Sequence, residues 1–133
     1  METQALHDRI ARYLAEQRDI RLGILFGSVA SGRAGYDSDL DIAVLAEQPL
    51  SAQRRQALIA GLARLSGRAV DLVDLATAGP AIARSALTHG QVLIGHDSPV
   101  YPQQISRMLI DSNDFLPYRD RILRQRRNAW IQQ

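Results

Sequence analysis

Two apolar runs flank a glycine-broken loop in RLGILFGSVASGRAGYDSDLDIAV, residues 21–44. The first run, RLGILF, stops at Gly27 and predicts a buried strand that leads into a turn. The second, DLDIAV at 39–44, alternates at its start and then becomes apolar, as a strand does when it enters a core. Because side chains in a strand repeat every second residue, Asp39 and Asp41 are expected to point the same way.

Helical and strand patterns continue on either side of this stretch. The remaining predicted elements are, in chain order, a helix at about 3–18, a helix through Leu58, Leu62 and Leu65 that ends near Gly67, a strand at 69–75, a helix from Pro80 to Gly90, a strand at 91–95, and helices around 105–109 and from 117 to the end. This order predicts an α/β fold of the α+β type, in which a small mixed sheet of about four strands is flanked by helices.

The composition is that of one ordinary globular domain. With 133 residues, 46% of them hydrophobic and 23% charged, the chain is expected to fold as a single domain over residues 1–133. The absence of cysteine excludes disulfides and thiolate metal sites. Glu2 and Asp8 stand where a signal peptide would be basic and then apolar, and no apolar run is long enough to span a membrane. We therefore expect a cytoplasmic protein without a membrane partner.

Positive charge is concentrated at the C-terminus. All 16 basic residues are arginines, and the formal net charge is only +2. Residues 118–133 hold five arginines and one aspartate, whereas residues 1–117 hold 11 arginines and 13 acidic residues. The pattern predicts an arginine-rich helix at about 117–133, whose charges could be solvated, dock a partner or contact nucleic-acid phosphate. The small net charge and the clustered aspartates argue against direct nucleic-acid binding.

The loop between the first two predicted strands carries groups that can bind a phosphate and a metal ion. If a helical turn begins at Ser28, its free backbone N–H groups and the Ser28 hydroxyl converge on one spot, which suits phosphate. Asp39 and Asp41 would repel each other when both are charged, and a divalent cation relieves that repulsion. Mg²⁺ prefers oxygen ligands and is usually shared between one or two carboxylates and the phosphates of a substrate. The sequence therefore predicts a site for a metal-bound nucleoside triphosphate.

A third carboxylate is available in the segment VDLVDL at 70–75. If this strand lies beside the second one, Asp71 can join the two aspartates, either to bind a second metal or to take a proton from an attacking hydroxyl. Asp74 would point to the opposite face of the same strand, so Asp71 is the preferred candidate. The three histidines show no metal-ligand spacing and are expected on the surface or in loops.

These residues resemble a known signature. Gly27-Ser28, ten residues and then Asp39-Leu40-Asp41 are similar to the GSx10DxD pattern of the DNA polymerase β-like nucleotidyltransferase superfamily. The resemblance extends over residues 21–96 and is to the minimal single-domain members, the MNT proteins, which in bacteria are typically antitoxins paired with HEPN toxins. It differs at Ser31, where many members carry an arginine; Arg33 is the nearest basic residue and could serve the phosphates or lie in solvent.

The resemblance implies a polymerase β-like nucleotidyltransferase fold and a type VII-like antitoxin that transfers AMP from ATP to a tyrosine hydroxyl of a HEPN ribonuclease toxin. It also implies that Gly27 and Ser28 hold the triphosphate and that Asp39, Asp41 and Asp71 are catalytic and bind Mg²⁺. Two alternatives stay open: an antitoxin that only binds and occludes its toxin, and a transferase whose acceptor is a small molecule or RNA.

Overall fold

The computed structural model describes residues 2–32, 35 and 38–111. The predicted arginine-rich helix at 117–133 and Arg33 lie outside the described residues. The elements are, in order, α1 (Glu2–Ala15), β1 (Ile20–Phe26), α2 (Gly27–Ser31), β2 (Leu40–Ala46), α3 (Ala52–Ser66), β3 (Val70–Asp74), α4 (Pro80–His89), β4 (Gln91–Ile94) and α5 (Val100–Asp111). The predicted alternation of helices and strands is confirmed, including the short helix directly after the first strand.

The four strands form one mixed sheet in the order β3-β2-β1-β4. β1 runs antiparallel to β2 and β4, whereas β2 and β3 run parallel and are joined through α3. The end of β1 therefore lies at the same edge of the sheet as the starts of β2 and β3. This edge brings together the three parts of the chain on which the predicted site depends.

Both faces of the sheet are covered, because its strands bury apolar side chains in both directions. On one face, side chains of β1, β2 and β3 pack with α1 and α3 around Leu25, Ile42, Val44, Leu58 and Leu72. On the other face, Leu22, Ile24 and Ala43 pack with Ala86 and Leu87 of α4 and Met108 of α5. The sheet is thus the middle layer between two pairs of helices. Among the described residues, no helix has the length and apolar character that a membrane span requires.

Some predicted details are wrong. The first helix ends at Ala15 rather than near residue 18, and β2 begins at Leu40, whose N–H donates to the Ala69 carbonyl, so Asp39 precedes the strand. His7 is buried, with 6% of its surface exposed, and its Nε2 atom has no hydrogen-bond partner among the described residues. The helical period explains this burial, since His7 is three and seven residues from the fully buried Ile10 and Leu14.

Candidate active site

The turn after β1 lies in close contact with Asp41, the central carboxylate of the candidate site. Phe26, the last residue of β1, pairs with Asp41 of β2, so Gly27 lies next to that aspartate. Gly27 has a φ of 75°, and a Cβ atom added to it would lie 2.2 Å from Asp41 Oδ2. Glycine is therefore required here twice, once for the left-handed backbone and once for the close approach of the carboxylate.

The turn continues into the single helical turn α2, as the sequence predicted. Ser28 is its second residue and is partly buried, and α2 packs against β1 and β2. The turn is closed by the Ser31 hydroxyl, which donates to the Ser28 carbonyl at 3.1 Å, and by Gly32 N–H, which donates to the Val29 carbonyl at 3.4 Å. Gly27 and Ser28 thus lie together at the start of α2, beside the strand that carries Asp41.

The sheet brings the acidic residues to one edge. Asp41 and Asp71 are direct partners in the parallel pairing of β2 with β3, and Asp39 lies one residue before β2. Asp41 is partly buried, whereas Asp39 and Asp71 are exposed. Burial raises the pKa of Asp41 above its usual range, and the negative charges of Asp71 and Asp39 raise it further. The ionised form of Asp41 is therefore disfavoured unless positive charge is supplied nearby.

Asp74, the other aspartate of VDLVDL, lies on the opposite face, as predicted, and the structure shows that it has a structural role there. It is 5% exposed, and its carboxylate accepts hydrogen bonds from the N–H groups of Leu50 at 2.8 Å and Ala76 at 2.9 Å. These bonds fix the loops that follow β2 and β3. The structure therefore separates the two acids of this strand, and it is Asp71 that faces the other aspartates.

One arginine near the site was not anticipated from the sequence. Arg68, in the turn between α3 and β3, donates from Nη1 to the carbonyls of Gly35 at 3.1 Å and Ser38 at 2.8 Å. The Ser38 hydroxyl in turn accepts from Gly35 N–H at 2.9 Å, and Ser38 N–H donates to the Gly35 carbonyl at 3.3 Å. Because the partners of Arg68 are backbone carbonyls, no pattern of residue types in the sequence could have indicated these bonds.

The acidic edge, meaning the edge of the sheet that carries Asp39, Asp41 and Asp71, suits a metal ion that is also bound by water and by substrate. Among residues 2–32, 35 and 38–111, no three His, Asp or Glu side chains are close enough to form a complete metal cage. Mg²⁺ does not require one, since it usually binds one or two carboxylates together with water and substrate phosphates. Asp41, a partly buried carboxylate whose pKa is raised by burial and by two neighbouring acids, is a fitting oxygen ligand for such a cation.

The chain is similar in sequence to known proteins. A family profile described as polymerase beta, nucleotidyltransferase matches residues 8–99. Over 76 residues the chain is 40% identical to the protein adenylyltransferase MntA of Shewanella oneidensis, which corresponds to 57% of this chain and 55% of that relative. The chain thus spans about half the length of the curated relative it matches.

Several solved structures with a similar fold are of toxin-antitoxin complexes. A crystal structure of a toxin-antitoxin with AMP-PNP is similar over 94% of this chain and 95% of that one, with a TM-score of 0.69 and 28% identity. A tri-AMPylated Shewanella oneidensis HEPN toxin in complex with MNT antitoxin gives a TM-score of 0.62 and 28% identity, over 98% of this chain and 96% of that one.

Proposed function

The chain belongs to the polymerase beta nucleotidyltransferase family, and from this premise we propose that it is an antitoxin that transfers AMP from ATP to a HEPN toxin. The proposed acceptor is a tyrosine hydroxyl of the toxin, and the proposed result is loss of the toxin's ribonuclease activity. The pair would act in the cytoplasm, where ATP and the RNA substrate of such a toxin are found.

The observation that carries the proposal is the environment of Asp41. Its carboxylate is partly buried, lies against the Gly27 backbone and is repelled by the negative charges of Asp71 and Asp39. A fold that needed only a stable surface would gain nothing from charges placed in this way, because their repulsion opposes folding. A metal-bound triphosphate gives the cluster a use, since it supplies the positive charge.

Each site residue has a role in the proposed reaction. Gly27 and Ser28 bind the triphosphate through backbone N–H groups and the serine hydroxyl at the start of α2. Asp39, Asp41 and Asp71 would hold Mg²⁺ together with water and the triphosphate oxygens, and the cation would supply positive charge to the transferred phosphoryl group and the leaving pyrophosphate. The tyrosine oxygen forms a bond to the α-phosphorus as the bond to pyrophosphate breaks, and the exposed Asp71 takes the hydroxyl proton.

The nature of the partner is supported by the similar proteins. One relative is described as a protein adenylyltransferase, and the similar solved complexes include an AMPylated HEPN toxin and a bound ATP analogue. A protein acceptor also agrees with the chain's geometry, because Asp71 lies exposed on the edge strand β3, where a large acceptor can approach it.

The test is the intact mass of the HEPN toxin after incubation with this protein, ATP and Mg²⁺. We expect the toxin to gain whole AMP units, and we expect Asp39→Ala/Asp41→Ala to abolish the gain. Asp74→Asn is the matched control, since it alters an aspartate of β3 that does not face the site. An unchanged toxin mass together with a stable complex and lost ribonuclease activity would instead establish an antitoxin that acts by binding alone.

A further inference from the structure

Arg68 connects the two segments that carry the outer carboxylates. It stands three residues before Asp71, in the turn that leads from α3 into β3. Its guanidinium reaches across to the loop before β2 and donates to the carbonyls of Gly35 and Ser38, the latter being the residue directly before Asp39. A single side chain therefore connects the segment before Asp39 to the segment before Asp71.

Asp39 needs such support because strand pairing does not provide it. The first backbone bond of this edge joins Leu40 N–H to the Ala69 carbonyl, and Asp39 lies outside β2. On the N-terminal side of Asp39, Gly35 and Ser38 are hydrogen-bonded to each other, and the carbonyl of each also accepts a hydrogen bond from Arg68. Hydrogen bonds from a charged donor are typically stronger than neutral ones, so the Arg68 guanidinium adds support to Gly35 and Ser38 beyond the bonds between these two residues.

We propose that Arg68 is a positioning residue for the transfer reaction, which holds Asp39 in register with Asp41 and Asp71 so that the three carboxylates receive metal-bound ATP. The proposal rests on the function proposed above. Arg68 donates to backbone carbonyls of the segment before Asp39, so its proposed effect is on where that carboxylate lies. Removing residues that orient metal ligands typically costs about 10- to 100-fold in metal affinity or activity.

The chain offers a matched control in Arg54. Its guanidinium also bridges two segments, donating to Asp19 Oδ1 at 2.7 Å and Oδ2 at 3.0 Å and to Gln17 Oε1 at 2.9 Å. Asp19 directly precedes Ile20, which pairs with Ala46 at the far end of β2. Arg54 therefore joins two segments through its guanidinium as Arg68 does, but at the opposite edge of the sheet, away from Asp39, Asp41 and Asp71.

The decisive measurement is the binding of a non-hydrolysable ATP analogue to the free protein at graded Mg²⁺ concentrations, by calorimetry. We expect Arg68→Ala to raise the Mg²⁺ concentration needed for half-maximal binding by about 10-fold or more. Arg68→Lys keeps the charge on a shorter donor and should give a smaller shift. Arg54→Ala should lower the urea midpoint of unfolding but leave the Mg²⁺ dependence unchanged. In AMP transfer, Arg68→Ala should lower kcat at saturating ATP, and excess Mg²⁺ should restore part of the loss.

The outcomes separate this proposal from the proposed function. If the wild-type protein binds no analogue at any Mg²⁺ concentration, both are overturned. If the wild-type protein binds it and neither Arg68 variant shifts the Mg²⁺ dependence, the positioning role alone is overturned. An equal shift in Arg54→Ala would also overturn it, because the effect would then be one of general stability. Circular dichroism of each variant gives the folded fraction by which binding is scaled, and Arg68→Lys carries the test if Arg68→Ala does not fold.

Discussion

Replacing Gly27 with alanine would place a methyl group on the carboxylate of Asp41. The added Cβ would lie 2.2 Å from Oδ2 and 3.0 Å from Cγ of that side chain, where ordinary contacts begin at 3.4 Å. To relieve the overlap, the carboxylate has to move by about 1 Å, and a displacement of that size in a catalytic group can cost about 100-fold in rate. Alanine must also adopt a φ of 75°, which opposes folding.

The expected losses can be divided between these two causes. A left-handed conformation costs an alanine about 1–2 kcal/mol, and forcing an extra carbon into a filled space costs about 1–3 kcal/mol more. Gly32→Ala is the matched control, because Gly32 has the same φ of 75° and, among the residues that the structure describes, no atom within 4 Å of an added Cβ. It should lose only the first contribution, whereas Gly27→Ala should lose both, together with about 2.7 kcal/mol of transition-state stabilisation.

The assay combines urea unfolding with the rate of AMP transfer, each measured on the same preparations of the two variants. Gly27→Ala is expected to unfold more easily than Gly32→Ala and to transfer AMP about 100-fold more slowly than the wild-type protein. Transfer by Gly27→Ala at the wild-type rate would refute the reasoning, because the carboxylate would then tolerate displacement. An equal loss in both variants would refute it as well, since backbone strain alone would account for the effect.

Three further predictions concern charge and packing. Because the pKa of Asp41 is raised, Asp41→Asn should stabilise the metal-free protein. The difference in urea midpoint between Asp41→Asn and the wild-type protein should grow as pH rises from about 3, through the unfolded-state pKa near 3.8, to about 7. A difference in urea midpoint that does not change with pH would contradict this. Asp74→Ala should lower the free energy of unfolding by about 2–5 kcal/mol and spare AMP transfer in the folded fraction, whereas Asp71→Asn should do the reverse. Gly61→Ala would bring a Cβ to 2.0 Å from Tyr13 Oη and cost about 1–3 kcal/mol, part of which Tyr13→Phe should restore.

The period of the side chains explains why much of the site was predictable. Alternation along β2 and β3 placed Asp41 and Asp71 on one face and Asp74 on the other, and the pairing of these strands bears this out. The prediction required only that the two strands be neighbours. It could not give the partial burial of Asp41, which depends on how closely the Gly27 backbone approaches, a tertiary property that residue types do not encode.

Two features of the site were beyond prediction for different physical reasons. Asp39 was expected inside the strand because it continues the alternation, but pairing begins one residue later, where Leu40 reaches the Ala69 carbonyl. Arg68 stayed unnoticed because a side chain that binds backbone carbonyls leaves no complementary residue to find in the sequence. His7, by contrast, could have been placed in the core from its spacing to Ile10 and Leu14.

The direct pairing of Asp41 with Asp71 limits where this chain can change in length. One residue inserted in the turn at 67–69 would reverse the two faces of β3, sending Asp71 into the core and Leu72 to the acidic edge. The connection at 95–99 between β4 and α5 carries no such requirement, since no carboxylate of the site follows it. Active relatives are therefore expected to keep the number of residues between α3 and β3 constant and to gain or lose residues before α5.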